Sequence, residues 1–108
     1  MFVISRFRVP EGGAEEQAFR SDAEAALEAL SRRPGYVDGR LGRNLDDPSL
    51  WALSTAWADV GSYRRALSSY DVKVGAVPLL ARAVDEPSAY EEVEPGLPTN
   101  DARARELR

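Results

Sequence analysis

Apolar and polar positions alternate from Phe2 to Val9. Val3, Ser5, Phe7 and Val9 share one face and Phe2, Ile4, Arg6 and Arg8 the other, the two-residue period of a β-strand. Pro10-Glu11-Gly12-Gly13 closes it with a turn, and the face with Val3, Phe7 and Val9 is the one expected beneath a helix. From Glu15 to about Arg32 the period changes: Phe19, Ala23, Ala26, Leu27 and Leu30 recur at three- and four-residue steps, one apolar stripe on a helix. Glu15 and Glu16 near its start and Arg32 and Arg33 near its end suit the helix dipole. Pro34-Gly35 terminates it.

Tyr36 to Asn44 reads as a second strand, interrupted by Gly39 and Gly42, and Leu50 to Asp59 as a third. The acidic turn Leu45-Asp46-Asp47-Pro48 joins them as an antiparallel hairpin, its aspartates suited to bond local backbone. In the third strand Trp51, Leu53, Thr55 and Trp57 alternate with Leu50, Ala52, Ser54, Ala56 and Ala58. Neither face is strongly polar, which predicts burial on both sides.

Val60 to Ser69 reads as a short helix, with Asp59 or Ser62 as its cap. The stretch from Val72 to Ala83 is open: Val72, Val77, Leu79 and Leu80 could line a helix that Gly75 and Pro78 would weaken or bend. Val84 to Glu94 holds the last strand, expected around Ser88 to Val93. Glu94-Pro95-Gly96-Leu97-Pro98 ends the folded part, so residues 1–94 form one domain. Residues 95–108 form a tail, disordered or packed on a partner subunit. The order strand, helix, strand, strand, helix, strand is the ferredoxin-like split βαβ arrangement. It predicts an α+β fold with a four-stranded antiparallel sheet and helices on one face. Helices cover one face only, so a partner sheet is the simplest cover for the other.

With 108 residues the chain suits one domain, and a domain of this size buries about two thirds of its unfolded surface. A net charge of −4 without basic clusters argues against nucleic acid. Cysteine and histidine are both absent, which removes disulfides, thiolate chemistry, the commonest metal ligand and the most frequent general base. Asp46, Asp47, Glu91 and Glu92 lack EF-hand spacing, and no metal site is expected. No apolar stretch approaches the roughly 20 residues that span a bilayer. Met1 to Arg6 is too short and too soon charged for a signal peptide, so the expected location is the cytoplasm, with no membrane partner.

Several segments in order resemble the antibiotic biosynthesis monooxygenase family of dimeric α/β-barrel proteins. They are Phe2-Val3-Ile4-Ser5-Arg6-Phe7, Pro34-Gly35, Arg43-Asn44-Leu45-Asp46-Asp47-Pro48, Leu53-Ser54-Thr55-Ala56-Trp57-Ala58-Asp59 and Pro87-Ser88-Ala89-Tyr90-Glu91. The resemblance spans about residues 2 to 94. It implies a homodimer in which two four-stranded sheets pack face to face as an eight-stranded barrel, helices outside, with a pocket between sheet and helices in each subunit. It also implies oxidation of a small hydroxylated aromatic or quinol-type substrate by O₂ without metal, flavin or haem. That chemistry suits a chain without His or Cys, because an electron-rich phenol or enol, once an anion, can itself reduce O₂.

The resemblance also nominates residues. Trp57 matches the family's third-strand tryptophan, as pocket wall and indole donor, or as a core aromatic. Tyr63 corresponds to a tyrosine that assists anthrone-oxidising relatives, or is a half-buried helix residue. Ser5 stands where many relatives place asparagine, able to make one hydrogen bond or simply to leave room. Leu53 stands where an anthrone oxygenase carries asparagine, which sets that substrate in doubt. The stretch Asp71-Val72-Lys73-Val74-Gly75-Ala76 lacks the histidine by which haem degraders hold iron. Tyr70 remains as a ligand-binding candidate. Arg65, beside Arg64, could attract an anionic substrate or be solvated, and Phe7 and Phe19 could wall the cavity or fill the core. Trp57, Tyr63 and Ser5 are thus the candidate catalytic residues, with Phe7, Phe19, Leu53, Arg65 and Tyr70 for substrate binding. The alternatives are a non-catalytic small-ligand-binding protein of the same fold, or a polyketide cyclase or isomerase using Asp59, Glu91 or Glu92 as acid or base.

Overall fold

The computed structural model describes residues 1–99; of the expected tail 95–108, residues 100–108 lie outside the described residues. The elements are β1 (Phe2–Arg8), α1 (Gly13–Ser31), β2 (Tyr36–Arg43), β3 (Leu50–Trp57), α2 (Val60–Ser68), α3 (Tyr70–Gly75), α4 (Val77–Leu80) and β4 (Ala89–Tyr90). The strands form one antiparallel sheet in the order β2-β3-β1-β4. Helices pack on one face, as the ferredoxin-like pattern predicts.

The alternation on β1 and β3 translates directly into burial. Val3, Ser5, Phe7 and Val9, together with Trp51, Leu53, Thr55 and Trp57, are all buried beneath the helices. The register places Ser5 opposite Leu53 and Phe7 opposite Trp51. From α1 come Phe19, Ala23, Ala26, Ala29 and Leu30, close to the predicted stripe, with Leu27 only partly buried. Small residues at three of these positions let the helix lie near the sheet, while Phe19 fills the centre against Phe7 and the edge of Trp51. On the opposite sheet face Leu50, Ala52, Ser54 and Ala56 are half-exposed, the face for which a partner sheet is the expected cover.

Turn chemistry sets the hairpin between β2 and β3. Asn44 Oδ1 accepts from the backbone of Asp46 and Asp47, and Asp47 Oδ1 from that of Ser49. At the end of α1, Gly35 has φ 89°, the left-handed region that glycine adopts without cost. A Cβ there would overlap Cβ and Oγ of Ser62, so Gly35 also lets α2 approach.

The open stretch from Val72 to Ala83 resolves into two short helices broken at Ala76, whose φ of −129° is non-helical. Pro78 sits in the first turn of α4, where its missing N–H leaves no intrahelical bond unmade. The last strand is shorter than the expected Ser88–Val93. Tyr90 pairs with Phe2, the first residue of β1, so residues beyond Tyr90 have no strand left to pair with. Before it, Val84 N donates to Arg6 O and Ile4 N to Ser88 O, and the chain swings clear of β1 between these bonds. Pro87, without an N–H, suits that gap.

Candidate functional site

The gap between β1 and residues 84–88 opens into a chamber of about 340 Å³, near the lower end of the roughly 300–1,000 Å³ typical of small-molecule sites. Ile4 and Ser5 of β1, Tyr63 of α2 and Leu80 of α4 line it, and Ala81, Ala83, Val84, Asp85, Glu86 and Ser88 close the remaining side. Behind it Ser5, Tyr63 and Leu80 meet Val3, Leu30, Leu53 and Thr55 around a recess of about 10 Å³, room for about one water. The cavity therefore lies half at the sheet edge and half beneath the helices.

Two hydroxyl-bearing residues, Ser5 and Tyr63, line both the chamber and the recess. Ser5 faces inward because alternation on β1 sends it there, and it is 7% exposed. Tyr63 is carried inward by α2, whose start is capped by Asp59 Oδ1 accepting from Ser62 N at 2.7 Å. Neither hydroxyl has a hydrogen-bond partner among the described residues. Burial pushes the Tyr63 phenol above its ordinary pKa, so it stays protonated and able to donate at neutral pH.

Trp57 stands behind Tyr63, not at the chamber wall. It is 3% exposed, with the Tyr63 ring tilted against it at 5.7 Å and Tyr36 edge-on at 5.5 Å. Its indole N–H donates to Thr55 Oγ1 at 2.9 Å, so that donor is taken internally. Leu53 lines the recess directly opposite Ser5. The structure thus brings Ser5, Leu53 and Tyr63 together, with Trp57 supporting Tyr63.

The other nominated residues lie elsewhere. Phe7 and Phe19 pack on each other at 5.1 Å in the core. Tyr70 opens α3 with 76% of its surface exposed. Arg65 is exposed on α2 and its Nη2 reaches Ser62 Oγ at 3.3 Å. Asp59, Glu91 and Glu92 line a separate shallow depression with Met1 and Leu97. Among the described residues no three acidic side chains gather to hold a metal ion.

Sequence reasoning missed the carboxylates that do reach the chamber, Asp85 and Glu86. Glu86 accepts from Arg6 Nε at 2.7 Å and Nη2 at 2.5 Å, a bidentate pair. The paired guanidinium holds Glu86 below the usual carboxylate range. Asp85 is exposed and has no partner among the described residues. Asp85-Glu86-Pro87 is a turn-forming string, and that was the available signal; its position over a cavity comes only from the tertiary fold.

The sequence matches the family model described as antibiotic biosynthesis monooxygenase over residues 1–76. Among solved structures the chain is similar to SnoaB, a cofactor-independent oxygenase from Streptomyces nogalater, with 24% identity and a TM-score of 0.68 over 89% of this chain and 96% of that one. A mutant of SnoaB aligns at 28% identity and a TM-score of 0.64, covering 77% of this chain and 82% of that one. A conserved protein from Methanosarcina mazei Go1 shares the fold at 22% identity and a TM-score of 0.65, covering 82% and 84%. No curated protein matches the sequence. Among the described residues no helix is long and apolar enough to cross a membrane.

Proposed function

Because the chain belongs to the antibiotic biosynthesis monooxygenase family, we propose that it is a cofactor-independent monooxygenase acting on a small hydroxylated aromatic or quinol-type substrate. One observation carries the reading: two hydroxyls without internal partners, Ser5 and Tyr63, face one chamber whose deep end is apolar. The similarity to SnoaB, described as a cofactor-independent oxygenase, supports it.

The chemistry follows from what these groups do. A substrate whose ring carbon bears two hydrogens beside a hydroxylated system loses one proton to become an anion. The anion passes one electron to O₂, and the resulting radical and superoxide join in a C–O bond. Protonation gives a hydroperoxide, and loss of water leaves a carbonyl, so the substrate gains one oxygen, loses two hydrogens and yields one water. Tyr63 and Ser5 would donate hydrogen bonds to the substrate oxygen as negative charge develops on it. Ile4 and Leu80 would hold the flat ring and exclude water, with Leu53 closing the recess behind it. Trp57 acts as a positioning residue, keeping the Tyr63 ring turned toward the chamber.

Metal-free protein should consume O₂ with a panel of anthrones and polyhydroxylated naphthalenes, giving products of the stated mass change. Tyr63→Phe should slow turnover about a hundredfold, as for loss of one oxyanion donor, and Trp57→Phe should slow it less. No oxygen uptake across the panel would defeat the proposal. Leu53, where the resemblance expects an asparagine in anthrone oxygenases, favours a second reading, a ligand-binding protein without turnover. Saturable binding of the same compounds with no oxidised product would support it.

The half-exposed face bearing Phe2, Ile4, Leu50, Ala52 and Ala56 supports a homodimer in which a second copy covers it. Light scattering at micromolar concentration should give twice the chain mass; a monomer would contradict this.

A further inference from the structure

We propose that the chamber selects by charge: it admits uncharged hydroxylated aromatics and turns away their carboxylated counterparts. The inference rests on the functional reading above and narrows its substrate class.

Among the described residues, the charged side chains that line the chamber are all of one sign. Its wall holds the neutral hydroxyls of Ser5, Tyr63 and Ser88, the carboxylates of Asp85 and Glu86, and no basic side chain. Three arginines lie close in sequence or space, and each is committed elsewhere. Arg6 is clasped by Glu86 through two hydrogen bonds. Arg82, between two residues of the wall, pairs with Asp22 of α1 at 3.2 Å. Arg65 turns to Ser62 on its own helix. The Arg6–Glu86 pair is close to neutral as a unit, which leaves exposed Asp85 as the unpaired charge in the wall.

An anionic substituent entering beside Asp85 meets a like charge and, among the described residues, finds no basic side chain in the chamber wall to replace its lost water. Near a protein surface, like charges several ångströms apart repel by about 1 kcal/mol or more, a factor of roughly five in affinity. The effect is screened by salt because Asp85 is exposed. Glu86 contributes in a second way, since its grip on Arg6 keeps that guanidinium from receiving a carboxylate. The reactive oxygen of an uncharged substrate escapes this field when it docks at the deep end, beside Ser5 and Tyr63.

Equilibrium dialysis of the full chain at pH 7 and low salt, with 1-naphthol and 1-hydroxy-2-naphthoate as probes, tests this. The uncharged probe should bind at least about fivefold tighter, and the preference should shrink at high salt. Asp85→Asn, which removes a carboxylate with no partner and so leaves the fold intact, should reduce the preference. Glu86→Gln frees Arg6 and should reverse it. Equal or tighter binding of the carboxylate by the unaltered protein would overturn the proposal. So would an undiminished preference in Asp85→Asn, which stands as the deciding variant if Glu86→Gln fails to fold. Absence of binding by both probes would instead remove the aromatic site itself, and the functional reading with it.

Discussion

Replacing Gly35 by alanine isolates the contact that seats α2, and with it Tyr63. Two costs combine. Gly35 has φ 89°, where a side chain loses roughly 1–2 kcal/mol relative to glycine. The new methyl would also overlap Cβ and Oγ of Ser62, which is 6% exposed and has little room to move; overpacking of this kind costs about 1–3 kcal/mol. The sum, about 2–5 kcal/mol, corresponds to a fall of roughly 10–20 °C in Tm for a chain of this length. Gly13→Ala supplies the control, because Gly13 has φ 74° but open space around its missing Cβ. It should lose only the conformational part. Thermal and urea denaturation of both variants measure the difference, and Ser62→Gly in the Gly35→Ala background should recover most of the overlap cost. If Gly35→Ala is no less stable than Gly13→Ala, the close approach of α2 has no energetic weight and the argument fails.

Hydrogen bonds from the Ser49 side chain, then from Arg8, lower the Asp47 carboxyl to about 2. Its contribution to stability is therefore complete above the unfolded value near 4 and lost as pH falls from there toward 2; NMR titration should place the midpoint near the lower figure, and Asp47→Asn should flatten that limb of the acid unfolding curve. Burial raises the phenols of Tyr36 and Tyr63 above their ordinary range. The stability they lend is present below about pH 10 and lost as pH rises through their folded values, so absorbance titration should show Tyr36 and Tyr63 ionising late. Thr55→Val leaves the buried indole N–H of Trp57 without its acceptor and should cost about 1–3 kcal/mol in denaturant melts; an unchanged midpoint would mean the bond contributes nothing.

How much was legible depended on whether the cause was local. Alternation on β1 and β3 and the stripe on α1 each follow from residues close in sequence, and burial of Val3, Phe7, Leu53 and Phe19 matched the expected faces. The break at Ala76 was visible only as the ambiguity that Gly75 and Pro78 create. The length of β4 was hidden because its limit is set by where β1 begins, eighty-odd residues earlier. The half-exposed face of β3 has a related lesson: its apolar composition reports that a cover is expected, and among the described residues none is supplied from within the chain. In the chamber, the inward direction of Ser5 follows from the strand period alone. Asp85 and Glu86 were invisible as wall residues, since nothing in Asp-Glu-Pro says which cavity a turn will overhang. The same holds for Trp57, whose indole could be read as a free donor until Thr55, two residues away on the same strand face, was seen to take it.

The swing of residues 85–87 away from β1 has a consequence for how such a protein could change over generations. That three-residue arch supplies none of the buried core, and it is tethered at both shoulders, by Val84 to Arg6 and by Ser88 to Ile4. Lengthening, shortening or recharging the arch would therefore redraw the threshold a ligand crosses while the packed interior stays as it was.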